Sequence, residues 1–255
     1  MIKTTAIILA GGSIKEKDLV KWQSFLPDGV LSRALIPLCG KSMLFHVAKA
    51  VQETGLPLII AGGVPCEIPH IAVSGGASLV DTLIEGIAQI DSDVERVLII
   101  TADIPFIRAE HIHNLLLNAP VADFVYPIIP IHACKLAFPQ MKRTALITRE
   151  GEFTGGNMVL LNPGFVRTNE QTIRLSFDRR KDVVALARLL GAEVILRLIL
   201  ARFHPALLPI YTIEQAVSRL VGGASVRAMI VTDPEVGTDI DTPEDLVLAQ
   251  KMFRA

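Results

Sequence analysis

Four short segments of this sequence carry residue types at spacings that suit phosphate and metal chemistry. The first, Ala6-Ile-Ile-Leu-Ala10-Gly11-Gly12, is an apolar run ending in a glycine pair. Without side chains, Gly11 and Gly12 let backbone N–H groups turn towards an anion and let a phosphate approach closely, or they form only a tight turn. The second, Arg33-Ala-Leu-Ile-Pro-Leu-Cys-Gly-Lys41, brings two cations to follow the glycine pair. Arg33 and Lys41 taken together, more than either alone, suit phosphate charge. In the third, Val97-Leu-Ile-Ile-Thr-Ala-Asp103-Ile-Pro-Phe106, a carboxylate ends a continuous apolar strand. That is where ligands bind in open α/β sheets, and Asp103 is a hard oxygen ligand suited to magnesium. The fourth, Gly237-Thr-Asp239-Ile-Asp241-Thr-Pro-Glu-Asp245, places a carboxylate on each side of Ile240. In extended geometry both point the same way, so a second metal ligand can come from here, although the segment is also a good helix start.

Other phosphate motifs fail. A dinucleotide fingerprint needs a further Gly and an immediate helix after Gly12, and the next glycine is Gly29. A P-loop ending at Gly40-Lys41-Ser42 would need its first Gly where Leu35 stands. The balance of 25 Lys+Arg against 26 Asp+Glu over 255 residues argues against nucleic acid as the main partner. Cys39, Cys66 and Cys134 are odd in number and far apart, which suggests neither a disulfide framework nor a zinc site. No charged leader precedes the first apolar run, so no signal peptide is expected, and a reducing cytoplasm fits the cysteines.

The elements that must position these residues read as βαβ units around a mostly parallel sheet. Residues 4–9 read as a buried strand, 41–54 as a helix closed by Gly55, 58–61 as a strand and 79–90 as a helix capped by Ser78. A strand over 97–101 and a helix over 111–118 continue the period. Residues 123–161, broken by Pro127, Pro130, Pro139 and Gly155-Gly156, read as short extended pieces in antiparallel hairpins. Helix is expected over 172–203 and 212–220, then a strand over 226–231 and a helix over 243–253 with Thr242 as N-cap.

In this order, Leu9-Ala10-Gly11-Gly12, Arg33 before Ala-Leu-Ile-Pro-Leu with Gly40-Lys41, Ala102-Asp103-Ile104-Pro105-Phe106 and Asp239-Ile-Asp-Thr-Pro-Glu-Asp245 resemble the MobA-like NTP transferases. That group includes molybdenum-cofactor guanylyltransferases and is related to sugar-phosphate and methylerythritol-phosphate nucleotidyltransferases. Gly75-Gly76-Ala-Ser-Leu-Val-Asp-Thr82 is similar to a stretch that contacts base and ribose in the cytidylyltransferases. The resemblance implies a GT-A-like, Rossmann-like three-layer α/β/α fold with a mostly parallel central sheet, a β-hairpin region and a helical insertion. It implies one nucleotidyltransferase domain over 1–255, with a nucleotide-binding half at 1–120, an acceptor-binding hairpin region at 121–170, a helical insertion at 171–222 and a closing strand and helix at 223–255. It also implies transfer of an NMP group from an NTP to a small phosphorylated acceptor, with release of pyrophosphate. Carried over, Ala10, Gly11, Gly12, Lys41, Gly76 and Thr82 bind the nucleotide, Arg33 its α-phosphate, and Asp103 with Asp241 a magnesium ion. Gly155, Gly156 and Asn157 would face the acceptor, or form a turn before the next strand.

The departures are specific. The stretch 13–32 holds Lys15, Lys17 and Lys21 but no Arg, so the cation for the β- and γ-phosphates is not assigned, and Leu79 stands where the cytidylyltransferases carry an Arg. A glycosyltransferase of the same fold is an alternative, although Thr101-Ala102-Asp103 offers one acid where such enzymes use an Asp-x-Asp pair. A nucleotide-binding module without catalysis is another. Residues 183–210 are apolar nearly all round, but Arg188, Glu193, Arg197 and Arg202 interrupt them too often for a membrane span. They read as a buried helical hairpin, a homodimer surface or a lipid-facing surface, with Glu193 and Arg197 paired at i,i+4.

Overall fold

A computed structural model describes residues 2–14, 16–27, 30–179 and 189–254. Its centre is β1 (Thr4–Leu9), flanked by β4 (Leu58–Ala61) and β6 (Arg96–Thr101), both parallel to it. β5 (Ile71–Val73) extends one edge in the same direction. Beyond β6, β10 (Met158–Leu161) runs antiparallel and joins β7 (Phe124–Pro130), whose partners also include β11 (Val226–Ile230), parallel to it. β8 (Leu146–Thr148) and β9 (Gly151–Gly155) form a hairpin carried on β7. The sheet is thus mostly parallel, and helices cover both faces.

Alternation along the central strands builds the two outer layers. Ala6, Ile8, Ile60, Leu98 and Ile100 face Leu44, Val47 and Val51 of α2 (Met43–Glu53) and Ile112 and Leu115 of α4 (Ala109–Asn118). Ile7, Ile59, Val97 and Ile99 face Leu83 and Ile87 of α3 (Leu79–Ala88) and Phe165 and Val166 of α6 (Pro163–Arg179). Strands buried on both faces read as continuous apolar runs, which is why they stand out in the sequence. Caps fix the helix starts: Ser42 Oγ accepts from Phe45 N, Ser78 Oγ from Asp81 N, and Thr242 Oγ1 from Asp245 N at the start of the last helix, Pro243–Arg254.

A third core lies below the strand ends. Ile14, Trp22, Ile36, Leu38, Met43, Phe138, Met141, Ile240 and Leu246 gather the loop after β1, the segment before β8 and the last helix into one cluster. Trp22 ends α1 (Glu16–Trp22), a helix the sequence reading did not place in the stretch 13–32. Lys15 and Gly29 lie outside the described residues.

Three expectations are corrected. Residues 131–137 are helix α5 (Ile131–Ala137) rather than an extended piece, because Pro130 precedes a run of good helix formers. β7 belongs to the main sheet rather than to a hairpin laid over it. The helix expected over 172–203 starts earlier, at Pro163, where proline suits the first turn. Its middle, residues 180–188 with Val183 and Arg188, lies outside the described residues. Helix resumes in α7 (Ala192–Leu200) after Gly191, which adopts φ +96°. There Arg197 pairs with Glu193 at 2.7 Å, while Leu196, Ile199 and Phe203 are exposed. Among the described residues no helix is long and apolar enough to cross a membrane.

The glycine pair rests on a second one. Gly62 has φ +143°, and a Cβ there would collide with the backbone of Ala10 and Gly11. Gly62→Ala therefore combines a strained conformation with a backbone clash, and urea unfolding should show a loss of about 3 kcal/mol or more. A loss under about 1 kcal/mol would show that the two loops are not locked together.

Candidate active site

The motif residues converge at the carboxyl ends of β1 and β6. β1 delivers Ala10, Gly11 and Gly12, and the amides of Gly11 and Gly12 make no hydrogen bond among the described residues. A Cβ on Gly11 would lie 3.1 Å from Thr82 Oγ1, whereas a Cβ on Gly12 would meet nothing within 4 Å. Gly11 is thus enclosed by its neighbours, and Gly12 faces open space.

Asp103 follows β6, and Asp239 and Asp241 follow the 3-10 turn Pro234–Gly237. Oxygens of all three carboxylates lie within 4.8 Å of one another. Ile240 explains the convergence. Its side chain is fully buried in the third core, so alternation turns the acids on either side away from that core and towards Asp103. Its N–H donates to Asp103 C=O at 2.9 Å, tying the two acidic segments together through main chain. Asp239 was visible in the sequence only as the companion of Asp241, and the structure gives it equal standing in the cluster.

Two arginines hold the acids. Arg33, in the short 3-10 turn Arg33–Leu35, donates from Nη1 to Asp241 Oδ1 at 2.8 Å, and its Nη2 lies 3.7 Å from Asp103 Oδ2. Arg143 pairs with Asp239 Oδ1 at 3.0 Å. Nothing in the sequence marked Arg143, which stands in no motif, between Pro139 and β8. Burial pushes the Asp103 carboxyl up from its ordinary value, against the pull of Arg33. Burial also raises Asp239 to about 7, the charge of Asp241 adds to the shift, and Arg143 opposes it. Among the described residues Asp103 Oδ1 is buried with no hydrogen-bond partner. A cluster of carboxylates with one orphaned oxygen fits a hard divalent cation, whose charge would offset their repulsion.

The remaining sequence candidates fall at different depths. Thr82 is 2% exposed; its hydroxyl accepts from Gly76 N and donates to Ser78 C=O, so it braces the loop beneath the glycine pair. Lys41 pairs with Glu67 at 2.5 Å and lies over the Phe45 ring. Asn157 sits where the chain passes from β9 to β10: its C=O accepts from Thr101 N at 3.1 Å, its N–H donates to Val236 C=O, and its side-chain amide has no partner among the described residues. Gly155 leaves room for the Tyr126 ring, and Gly156 for Pro127 and Val236. Two surface clefts, of about 290 and 320 Å³, flank the last helix and are not lined by the three acids.

No protein-family model and no curated protein matches the chain. Among solved structures, a hypothetical transferase from Thermus thermophilus is 35% identical, with a TM-score of 0.84 over 96% of this chain and 100% of that one. The chain belongs to the family of that transferase. The family's fold extends to a 4-diphosphocytidyl-2C-methyl-D-erythritol synthase from Anaerococcus prevotii, at 12% identity and a TM-score of 0.55, covering 99% of this chain and 98% of that one. It extends likewise to a CMP:2-keto-3-deoxy-manno-octonic acid synthetase complexed with CTP, at 16% identity and a TM-score of 0.57 over the same shares. The family therefore has the mixed α/β fold of nucleotidyltransferases.

The Asp239 shift has a stability consequence. Because its folded value of about 7 lies above the ordinary 3.8, the folded state holds a proton that the unfolded chain has released between those values. Stability from this group falls as pH rises from about 4 through about 7, then levels off. Thermal melts in chelator should show that decline, and Asp239→Asn should flatten it between about pH 5 and pH 7. An unchanged slope in the variant would assign the decline to other groups.

Proposed function

We propose that this protein is a magnesium-dependent nucleotidyltransferase of the MobA-like kind, moving an NMP group from an NTP to a small phosphorylated acceptor and releasing pyrophosphate. The observation that carries the reading is the meeting, at the ends of β1 and β6, of two unengaged glycine amides, an arginine and three carboxylates. Magnesium, held by Asp103 and Asp241, would supply charge neutralisation at the phosphates.

The chain's own residues then have separable tasks. The free amides of Gly11 and Gly12 receive phosphate oxygens, and Gly12 leaves space for them. Arg33 brings a planar fork to the α-phosphate, where charge develops as the new bond forms. A phosphate oxygen of the acceptor attacks the α-phosphorus, the bond from that phosphorus to the bridging oxygen breaks, and pyrophosphate leaves with its electron pair. No covalent nucleophile or general base is required, because the attacking oxygen is already ionised; the protein contributes alignment and charge. The unpartnered amide of Asn157, beside Thr101, is placed to orient the acceptor.

Pyrophosphate release from each NTP with a mixture of sugar and polyol phosphates tests the reading. Asp103→Ala and Asp241→Ala should each lower turnover by about a hundredfold or more without loss of fold, since Asp241 is exposed and burial disfavours the charge on Asp103. Turnover at the original rate in either variant would remove that residue from the site. Gly12→Val should change stability by no more than about 0.5 kcal/mol, because its Cβ enters open space, yet it should weaken NTP binding in calorimetry. Unchanged NTP affinity would make the glycine pair a turn and nothing more.

A further inference from the structure

We propose that Arg143 is a positioning residue for the acidic cluster: it clamps Asp239 by side chain and main chain together, and so holds that carboxylate as a third oxygen donor beside Asp103 and Asp241. This rests on the reading of those two acids as metal-binding residues.

The argument begins with three consecutive residues, each tied to a different part of the chain. Asp239 is held by Arg143, Ile240 by its N–H to Asp103 C=O, and Asp241 by Arg33. The two arginines differ in how firmly they are fixed. The Arg33 side chain is 35% exposed and serves Asp241 and Asp103 through its two terminal nitrogens. The Arg143 side chain is 9% exposed. Its Nη1 reaches Asp239 Oδ1 at 3.0 Å and Lys142 C=O at 3.3 Å, and its Nη2 reaches Asp239 C=O at 3.1 Å and Met141 Sδ at 3.7 Å. One guanidinium therefore fixes both the carboxylate and the peptide carbonyl of the same residue, through two nitrogens held in one rigid plane.

The position of Arg143 adds a second point. Met141 and Phe138 belong to the core cluster that contains Ile240, so the segment bearing Arg143 and the segment bearing the acids share one apolar floor. The guanidinium is immobilised by the packing that also aims the acids. A merely local counter-ion would need neither this burial nor the bond to a backbone carbonyl. Without the clamp, Asp239 would sit beside two like charges with no cation of its own, since Arg33 serves Asp241 and Asp103, and its carboxylate would turn away from them.

The test measures Mn2+ binding by electron paramagnetic resonance in the full chain without nucleotide, so that it does not depend on turnover. Arg143→Met should weaken Mn2+ binding by about tenfold, a loss of the size that follows removal of a group orienting a ligand. Arg143→Lys should lose about threefold. In an Asp239→Asn background neither change should weaken binding further, because Arg143 acts through Asp239. Tighter or unchanged Mn2+ binding in Arg143→Met would show that it is only an opposing charge and would overturn the proposal. So would equal losses in both backgrounds. If Arg143→Met does not fold, the Arg143→Lys cycle alone decides by the same criterion. Asp103→Ala separates this inference from the reading beneath it: undiminished Mn2+ binding there removes the metal site itself, whereas loss there with an unaffected Arg143 series removes only the clamp.

Discussion

One main-chain hydrogen bond, from Ile240 N to Asp103 C=O, joins the middle of the chain to its closing segment at the site. It links the end of the central strand β6 to the segment that precedes the last helix. Since Ile240 is fully buried, the bond and the packing act together: the apolar side chain fixes which way the segment faces, and the N–H fixes how far it stands from β6. The acids at 239 and 241 are then brought beside Asp103 at a cost in like-charge repulsion. Arg33 and Arg143, paired with different acids, offset that repulsion.

The glycine side of the site follows another constraint, the close approach of backbones. Gly11 and Gly62 pack main chain against main chain, and Gly75 adopts φ +79° against Gly62. Thr82 secures this arrangement from below through Ser78 and Gly76, so that a rigid floor lies under Gly12 while Gly12 itself stays open. Crowding beneath and space above are what a surface for a phosphate chain requires.

The side of the site proposed to meet the acceptor is built from the irregular part of the sheet. β9 and β10 form a nearly continuous antiparallel path that breaks at Gly156-Asn157, where Gly156 N bonds Pro127 C=O and Asn157 N bonds Val236 C=O. The break carries Asn157 to the end of β6, two residues from Asp103. Arg143 reaches the acids from the same half of the molecule, so residues from the first strands, the hairpin region and the closing segment all meet at one place.

By itself the sequence determined the central fold and named most of the residues that meet at the candidate site. Strands buried on both faces leave continuous apolar runs, helix caps leave Ser and Thr before amphipathic stretches, and Asp-Ile-Asp before Thr-Pro-Glu-Asp shows both a carboxylate pair and a helix start. These signals are local, so Gly11, Gly12, Asp103 and Asp241 could be read from spacing. Tertiary structure alone decided the rest. Arg143 carries no local signal, because its role depends on a contact with Asp239, far along the chain. That Thr82 bonds Gly76 and Ser78, and that Lys41 has Glu67 beside it, were likewise not legible from spacing. Spacing records which residues share a face; which partners satisfy a charge or a hydroxyl is settled only when distant segments pack together, because Coulomb attraction and hydrogen bonding depend on distance in space and not along the chain.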